Sequence, residues 1–357
     1  MSNENSDKTK NTAETKETKK CSIFDTLQEE IQQSDLPESE KNRRLSVLLK
    51  ASTRQVNLML VGATGSGKSS TINALFDMSV AKVGVGVDPE TPSITKFELG
   101  NLIIWDTPGL GDTIKKDKTH TTEIVKKLSE IDVNGDLLID LVLVVLDAGS
   151  KDLAISYNVI NNALIPCLGK ESNRILIAIN QADMAMKGRN WDSKKNAPEP
   201  ALLDFLNQKV ESVKRRVKEA TGVEVNPIYY CAGYTDGKNK QIPYNLSKLL
   251  YYILMSVPSE KRLILADNLN TTEDNWVSND ADYSDAVKKT FWDSLLDDVM
   301  LCIEKGAVIG GCAIGVPGAI VGGLIGAIVG GLRSLIVKPL MKSKAADRVG
   351  KVISNLL

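Results

Sequence analysis

The stretch Gly62-Ala63-Thr64-Gly65-Ser66-Gly67-Lys68-Ser69 follows directly on the apolar run Asn57-Leu58-Met59-Leu60-Val61. Its spacing is G-x-x-x-x-G-K-[ST], a glycine loop between a buried-strand pattern and an amphipathic helix expected over 70–76. Such a loop aims successive backbone N–H groups and a helix N-terminus at one point, and its glycines let an anion approach the backbone closely. The chemistry it suits is a nucleoside triphosphate. Residues Gly62, Ala63, Thr64, Gly65, Ser66, Gly67 and Ser70 then surround the phosphates, Lys68 binds the β- and γ-phosphates, and the Ser69 hydroxyl ligates Mg²⁺.

Two further motifs end strand-like runs. Asp106-Thr107-Pro108-Gly109 closes Leu102-Ile103-Ile104-Trp105, and Asn180-Gln181-Ala182-Asp183 closes Ile175-Leu176-Ile177-Ala178-Ile179. In an open parallel sheet, the carboxyl ends of the strands form the edge where ligands bind, so three loops converge on one crevice. Asp106 is placed to support Mg²⁺ from behind its direct ligands, and the Gly109 N–H to meet the γ-phosphate. The Asp183 carboxylate can accept hydrogen bonds from both the guanine N1–H and the 2-amino group. Adenine lacks that amino group and its N1 is an acceptor, so Asp183 selects GTP over ATP.

These motifs resemble the translation-factor-class GTPases. More narrowly they resemble the Era/septin-like branch, with its immunity-related GTPases and its small bacterial prophage-type, 50S-ribosome-binding-like members. The resemblance covers residues 56–257, and its most specific stretches are GATGSGKSSTINALF, WDTPGLGD and NQAD. It implies that Thr91, in Pro89-Glu90-Thr91-Pro92, is the switch threonine whose hydroxyl meets Mg²⁺ in the GTP state. It also implies that Lys68, Thr91 and Gly109 form the catalytic set. Cys231-Ala232-Gly233 resembles a degenerate base-contacting loop in which the Ala232 N–H meets the guanine O6.

Three positions depart from the family pattern. Gln181 stands where the family carries lysine, so the stem lying over the base is shorter and uncharged. Leu110 stands where Ras-like enzymes place the water-orienting glutamine, which implies slow hydrolysis unless dimerisation or a partner supplies that role. Gly65 replaces the asparagine of potassium-activated members.

Composition narrows the function classes. The chain has 357 residues and a net charge near −1, enough for a sizeable core and without a general nucleic-acid signal. Its five cysteines, Cys21, Cys167, Cys231, Cys302 and Cys312, are odd in number and form no C-x-x-C pair, which fits a reducing cytoplasm rather than a disulfide scaffold or zinc site. His120 is the sole histidine, so a Ser/His/Asp triad on any other is impossible. It is expected as a solvated loop residue near the second switch.

The expected organisation is a disordered Lys/Glu/Thr/Asn-rich tail (1–21), two helices (22–54), a nucleotide-binding domain (55–258) and a helical linker (259–305). A Gly-rich apolar segment (306–332) and a basic tail (333–357) follow. The tail at 1–21 has no apolar core, so it is no signal peptide. Runs 94–99 and 102–105 read as a hairpin around Gly100-Asn101, and the doubly apolar run 141–146 as a central parallel strand. Helices are expected from the end of the polar stretch 187–200 through Ala220, over 242–256 and over 286–304. The fold class is α/β, a doubly wound, mostly parallel P-loop sheet with flanking helices and a carboxyl-terminal hairpin.

Residues 306–332, GAVIGGCAIGVPGAIVGGLIGAIVGGL, carry no charge over 27 positions, longer than the roughly 20 residues a spanning helix needs. Glycines four apart allow close helix approach. A single span would export the cationic tail of Arg333, Lys338, Lys342, Lys344, Arg348 and Lys351, against the positive-inside tendency. A hairpin bent at Pro317-Gly318 has arms only about 20 Å long, too short for a core of roughly 30 Å. The favoured expectation is an interfacial glycine hairpin with the basic tail on anionic headgroups; the alternative is a hairpin buried against the amino-terminal helices or a second copy. The partners expected are GTP or GDP, a membrane surface through 306–357 and a homodimer through G domains. Ribosome association and dynamin-like assembly remain alternatives.

Overall fold

The computed structural model describes residues 22–33, 36–76, 78, 82–84, 94–110, 114–150, 153–169, 172–236, 239–276 and 281–295. The expectations for 1–21, Thr91, 306–332 and 333–357, and for the helix beyond Leu295, lie outside them.

The strand before the glycine loop, β1 (Val56–Gly62), is buried at every position. It lies between β4 (Leu102–Asp106) and β5 (Leu141–Asp147) and runs parallel to both. Next to β5 comes β6 (Ile175–Asn180) and then the short β9 (Ile228–Tyr229), again in parallel. On the other side β4 folds back onto β3 (Thr95–Leu99) through Gly100-Asn101, and β3 pairs with the edge strand β2 (Lys82–Gly84), both antiparallel. The sheet order is therefore β2-β3-β4-β1-β5-β6-β9. The expected hairpin and central strand are both present. Two ribbons lie outside this sheet, β7 (Trp191–Asp192) with β8 (Ala197–Pro198) and β10 (Tyr234–Asp236) with β11 (Asn239–Gln241).

Side chains alternate between faces along a strand, and unbroken apolar runs require cover on both. Leu58, Leu60, Leu143, Val145, Leu176 and Ala178 point to one core. That core is completed by α1 (Ile23–Gln33), α2 (Glu38–Ser52), α3 (Lys68–Leu75), α8 (Leu246–Ser256), α9 (Arg262–Asp267) and α10 (Ala281–Leu295). Met59, Val61, Val142, Val144, Ile177 and Ile179 point to the other. Its cover is α4 (Ile114–Leu128), α7 (Pro200–Thr221) and the stretch running from α5 (Ala154–Val159) through a wide turn to α6 (Ile165–Leu168).

The amino-terminal helices close on the carboxyl-terminal ones, as the sequence allowed. Asp267, at the end of α9, accepts the Ile23 N–H at 2.7 Å and the Ser22 hydroxyl at 3.1 Å, capping α1 from 244 residues away. Three details differ from expectation. α8 starts at Leu246 rather than 242, because Tyr244 pairs with Cys231 through N–H···O bonds of 2.9 and 3.0 Å and Asn245 turns left-handed at φ 55°. α10 begins at Ala281, before the expected 286. His120 is no solvated loop residue: it sits on α4 with its side chain 15% exposed. Among the described residues no helix is long and apolar enough to cross a membrane.

Candidate nucleotide-binding site

The phosphate loop leaves β1 at Gly62 and enters α3 at Lys68. Gly67 at the junction has φ +89°, and a Cβ there would stand 2.2 Å from the Asn180 amide nitrogen, so both the backbone angle and the close packing require glycine. Ser69 and Ser70 are exposed at the open side of the loop. Lys68 is 9% exposed, and its ammonium donates to the carbonyls of Gly62 at 3.1 Å and Ala63 at 3.3 Å. Burial pulls the Lys68 pKa down, and the nearby Asp106 carboxylate opposes that fall.

Burial likewise pushes Asp106 up against the pull of Lys68. Its Oδ1 is buried without a hydrogen-bond partner. An orphaned carboxylate oxygen beside a phosphate loop fits a site for a hydrated divalent cation. Among the described residues no group of three His, Cys, Asp or Glu is placed to hold a metal ion.

The Asp106-Thr107-Pro108-Gly109 segment lies along the phosphate loop. Thr107 donates from its hydroxyl to the Leu60 carbonyl at 2.7 Å; the Leu110 N–H reaches the Gly62 carbonyl at 3.2 Å and the Thr64 N–H reaches the Leu110 carbonyl at 3.0 Å. A Cβ on Gly109 would stand 2.2 Å from the Thr64 hydroxyl. The Leu110 side chain is 1% exposed and belongs to the core with Met59 and Ile124, turned away from the phosphate loop.

The residues expected to read the base come together at the end of β6. Asn180 donates to the Ser66 carbonyl at 3.0 Å and accepts the Ala232 N–H at 3.0 Å, so one side chain ties the phosphate loop to the loop after β9. Gln181 is left-handed at φ 61°, and its amide donates to the Gly65 carbonyl at 2.8 Å. The shortened side chain therefore still spans from β6 to the phosphate loop. Asp183 is 6% exposed, and the Cys231 thiol donates to its carboxylate; burial first, and then that carboxylate, hold the thiol far above its usual pKa.

The structure thus brings together Gly62 to Ser70, Asp106, Gly109, Asn180, Gln181, Asp183 and Ala232, while Thr91 lies outside the described residues. It leaves His120 aside, its Nδ1 3.8 Å from the Glu123 carboxylate. Sequence reading missed three supports. The Cys231 thiol meets the Asp183 carboxylate. The Tyr230 hydroxyl meets the Thr71 hydroxyl at 2.5 Å in full burial, joining the base loop to α3. Lys209 donates to the carbonyls of Asp147, Ala148 and Ser150, at 3.2, 2.5 and 2.7 Å, and so fixes the loop after β5. No spacing rule marks a tyrosine, a cysteine or a lysine for such contacts.

Replacing Cys231 by alanine is expected to weaken GDP binding about 3- to 10-fold, whereas serine, which keeps a donor toward Asp183, stays near wild type. Fluorescence titration of both variants measures the difference.

Residues 57–181 match the family model described as 50S ribosome-binding GTPase. They belong to a GTP-binding G domain of the P-loop GTPase superfamily. Similar solved structures include LeoA, a bacterial dynamin GTPase from ETEC, at 16% identity and TM-score 0.37, covering 80% of this chain and 46% of that one. The chain thus spans about half of the LeoA chain. Toc33 from Arabidopsis thaliana is similar at 16% identity and TM-score 0.39, covering 68% and 98%. The G domain of the T. maritima FeoB iron transporter is similar at 17% identity and TM-score 0.29, covering 57% and 99%. The curated proteins give no match.

Proposed function

We propose that the protein is a Mg²⁺-dependent GTPase of the Era/septin-like branch with slow intrinsic turnover, whose nucleotide state is coupled to a carboxyl-terminal unit that meets an anionic membrane surface through 306–357. The observation that carries the nucleotide part is the meeting of Lys68, Asp106, Asn180 and Asp183 at one sheet edge, joined by the bonds of Asn180 to Ser66 and Ala232. Charge-free 306–332 and the basic residues after it support the membrane part.

In this reading the N–H groups of the loop and of Ser69 and Ser70 bind phosphate oxygens, and Lys68 exchanges its two carbonyl partners for the β- and γ-phosphates. Ser69 and Thr91 would hold the cation, with Asp106 supporting it from behind them. A cation held by these residues would supply positive charge against the phosphates. The Gly109 N–H meets the γ-phosphate, and release of that contact after hydrolysis relaxes the switch segments. Asp183 and the Ala232 N–H read guanine.

Turnover is slow because Leu110 lies in the core, where no side chain at that position can orient water. Leu110→Gln is therefore expected to leave single-turnover hydrolysis unaccelerated and to destabilise the fold by about 2 to 4 kcal/mol, since it buries an amide among apolar groups. Single-turnover kinetics and thermal melts check this together.

GTP turnover by the full chain over a protein concentration series, with and without anionic liposomes, tests the coupling. A rise with liposomes supports membrane coupling, and a rise with concentration alone supports G-domain dimerisation. Turnover flat in both series counts against both; salt-resistant, GTP-dependent sedimentation with ribosomes would favour the Era-like ribosomal reading.

A further inference from the structure

α3 is a helix of only 8 residues, and its own sequence supplies little to close its carboxyl end. Phe76, the residue after it, is extended at φ −126° and ψ 155°, and satisfies the Ile72 carbonyl alone. A helix leaves its last four carbonyls without partners, and two turns are too few to be stable by themselves.

The remaining three carbonyls are met by chain about two hundred residues away. The Asn270 side-chain amide donates to the Asn73 carbonyl at 2.6 Å, the Asn275 amide to the Ala74 carbonyl at 3.1 Å, and the Asn270 backbone N–H to the Leu75 carbonyl at 2.9 Å. Leu269 forms a bridge with Phe76, each 2% exposed. Asn270 is itself held: its side-chain oxygen accepts the Thr272 N–H at 2.8 Å and its carbonyl accepts the Trp276 indole N–H at 2.7 Å. The result is a socket, formed by 269–276, around the carboxyl end of the phosphate-loop helix.

We propose that Asn270 and Asn275 are positioning residues of the nucleotide site, holding α3 so that its first turn stays aligned on the phosphates. The inference rests on the reading that this first turn binds phosphate. In a helix of two turns, fraying of the last turn reaches the middle and loosens the N–H groups at Ser69 and Ser70. The socket also gives the carboxyl-terminal part of the chain a hold on nucleotide affinity. Trp276 precedes α10, which packs on α8 where Tyr283 meets Tyr251 and Tyr252 at centroid distances of 5.6 and 6.2 Å. Because such coupling is reciprocal, movement of α10 changes nucleotide affinity and nucleotide changes the hold on α10.

The test uses the full chain with single substitutions Asn275→Ala and Asn270→Ala, and Asn268→Ala as the comparison. Asn268 donates to the Ile264 carbonyl at 2.8 Å within α9, so its loss removes a similar bond that does not touch α3. Release of a fluorescent GDP analogue is expected to quicken about 5- to 10-fold in the first two and to stay at the wild-type rate in Asn268→Ala, whatever the thermal midpoints do. Equal release rates in all three would overturn the proposal and leave the asparagines as structural caps. A wild-type chain that binds no GDP would instead remove the nucleotide reading. Hydrogen exchange at 71–76 would then still judge the socket, which is refuted if Asn275→Ala leaves that exchange unchanged.

Discussion

Replacing Lys68 by alanine is expected to weaken GTP binding at least about 30-fold while leaving the fold intact. Lys68 is a buried cation at the base of the phosphate loop, partnered in the free chain only by the carbonyls of Gly62 and Ala63 and by the nearby Asp106 charge. Those are weak partners for a desolvated ammonium, and its depressed pKa reflects that burial. Phosphate oxygens would replace them with full charges at short range in a site partly screened from water. Truncating one member of a buried, hydrogen-bonded charge pair typically costs about 2 to 5 kcal/mol, a factor of roughly 30 to several thousand. Alanine is a good residue at the start of a helix, and removing a desolvated charge costs the free chain little. Titration with a fluorescent GTP analogue, beside a thermal melt, separates this from unfolding. A variant that keeps wild-type affinity would mean that the loop does not bind triphosphate.

The second large effect is expected at Asp183. The carboxylate is 6% exposed, receives the Cys231 thiol and has oxygens left for a base. Guanine offers two donors to it, and losing both to a charged acceptor is worth about 3 to 4 kcal/mol. Asp183→Ala should therefore lower GDP affinity about 100- to 1000-fold and leave the weak binding of ADP nearly unchanged. Inosine diphosphate keeps N1–H but lacks the 2-amino group, so the wild-type chain should prefer GDP to it about 10-fold and the variant should not distinguish them. Competition titrations with the three nucleotides read this pattern. Equal losses for GDP and ADP would place Asp183 in the scaffold rather than at the base.

Much of this site is legible in the sequence because its parts are local. Gly62 to Ser69 encode a strand, a turn and a helix start within a few residues, and the all-apolar run at Leu141 announces a strand covered on both faces. The two antiparallel strands around Gly100-Asn101 follow from the same period and turn chemistry. What the sequence does not show is set by contacts between distant residues. The substitution at Leu110 is visible, but the burial of its side chain in the core that Ile124 shares depends on where α4 packs. His120 could not be placed in or out of solvent without knowing that α4 begins at Ile114. The wide turn at Ile160–Leu164 stands just before Pro166, which has no N–H to give to a regular helix; periodicity alone passes over it. Capping of α1 by Asp267 and of α3 by Asn270 and Asn275 joins positions some 200 or more residues apart, beyond any local pattern.

The most direct test of the central claim is a calorimetric titration of the full-length chain, in Mg²⁺, with GDP and separately with ADP. The account predicts saturable binding of one GDP per chain and an affinity for ADP at least about 100-fold weaker, as a buried carboxylate facing the base requires. Equal affinity for the two, or heat from neither, would contradict it.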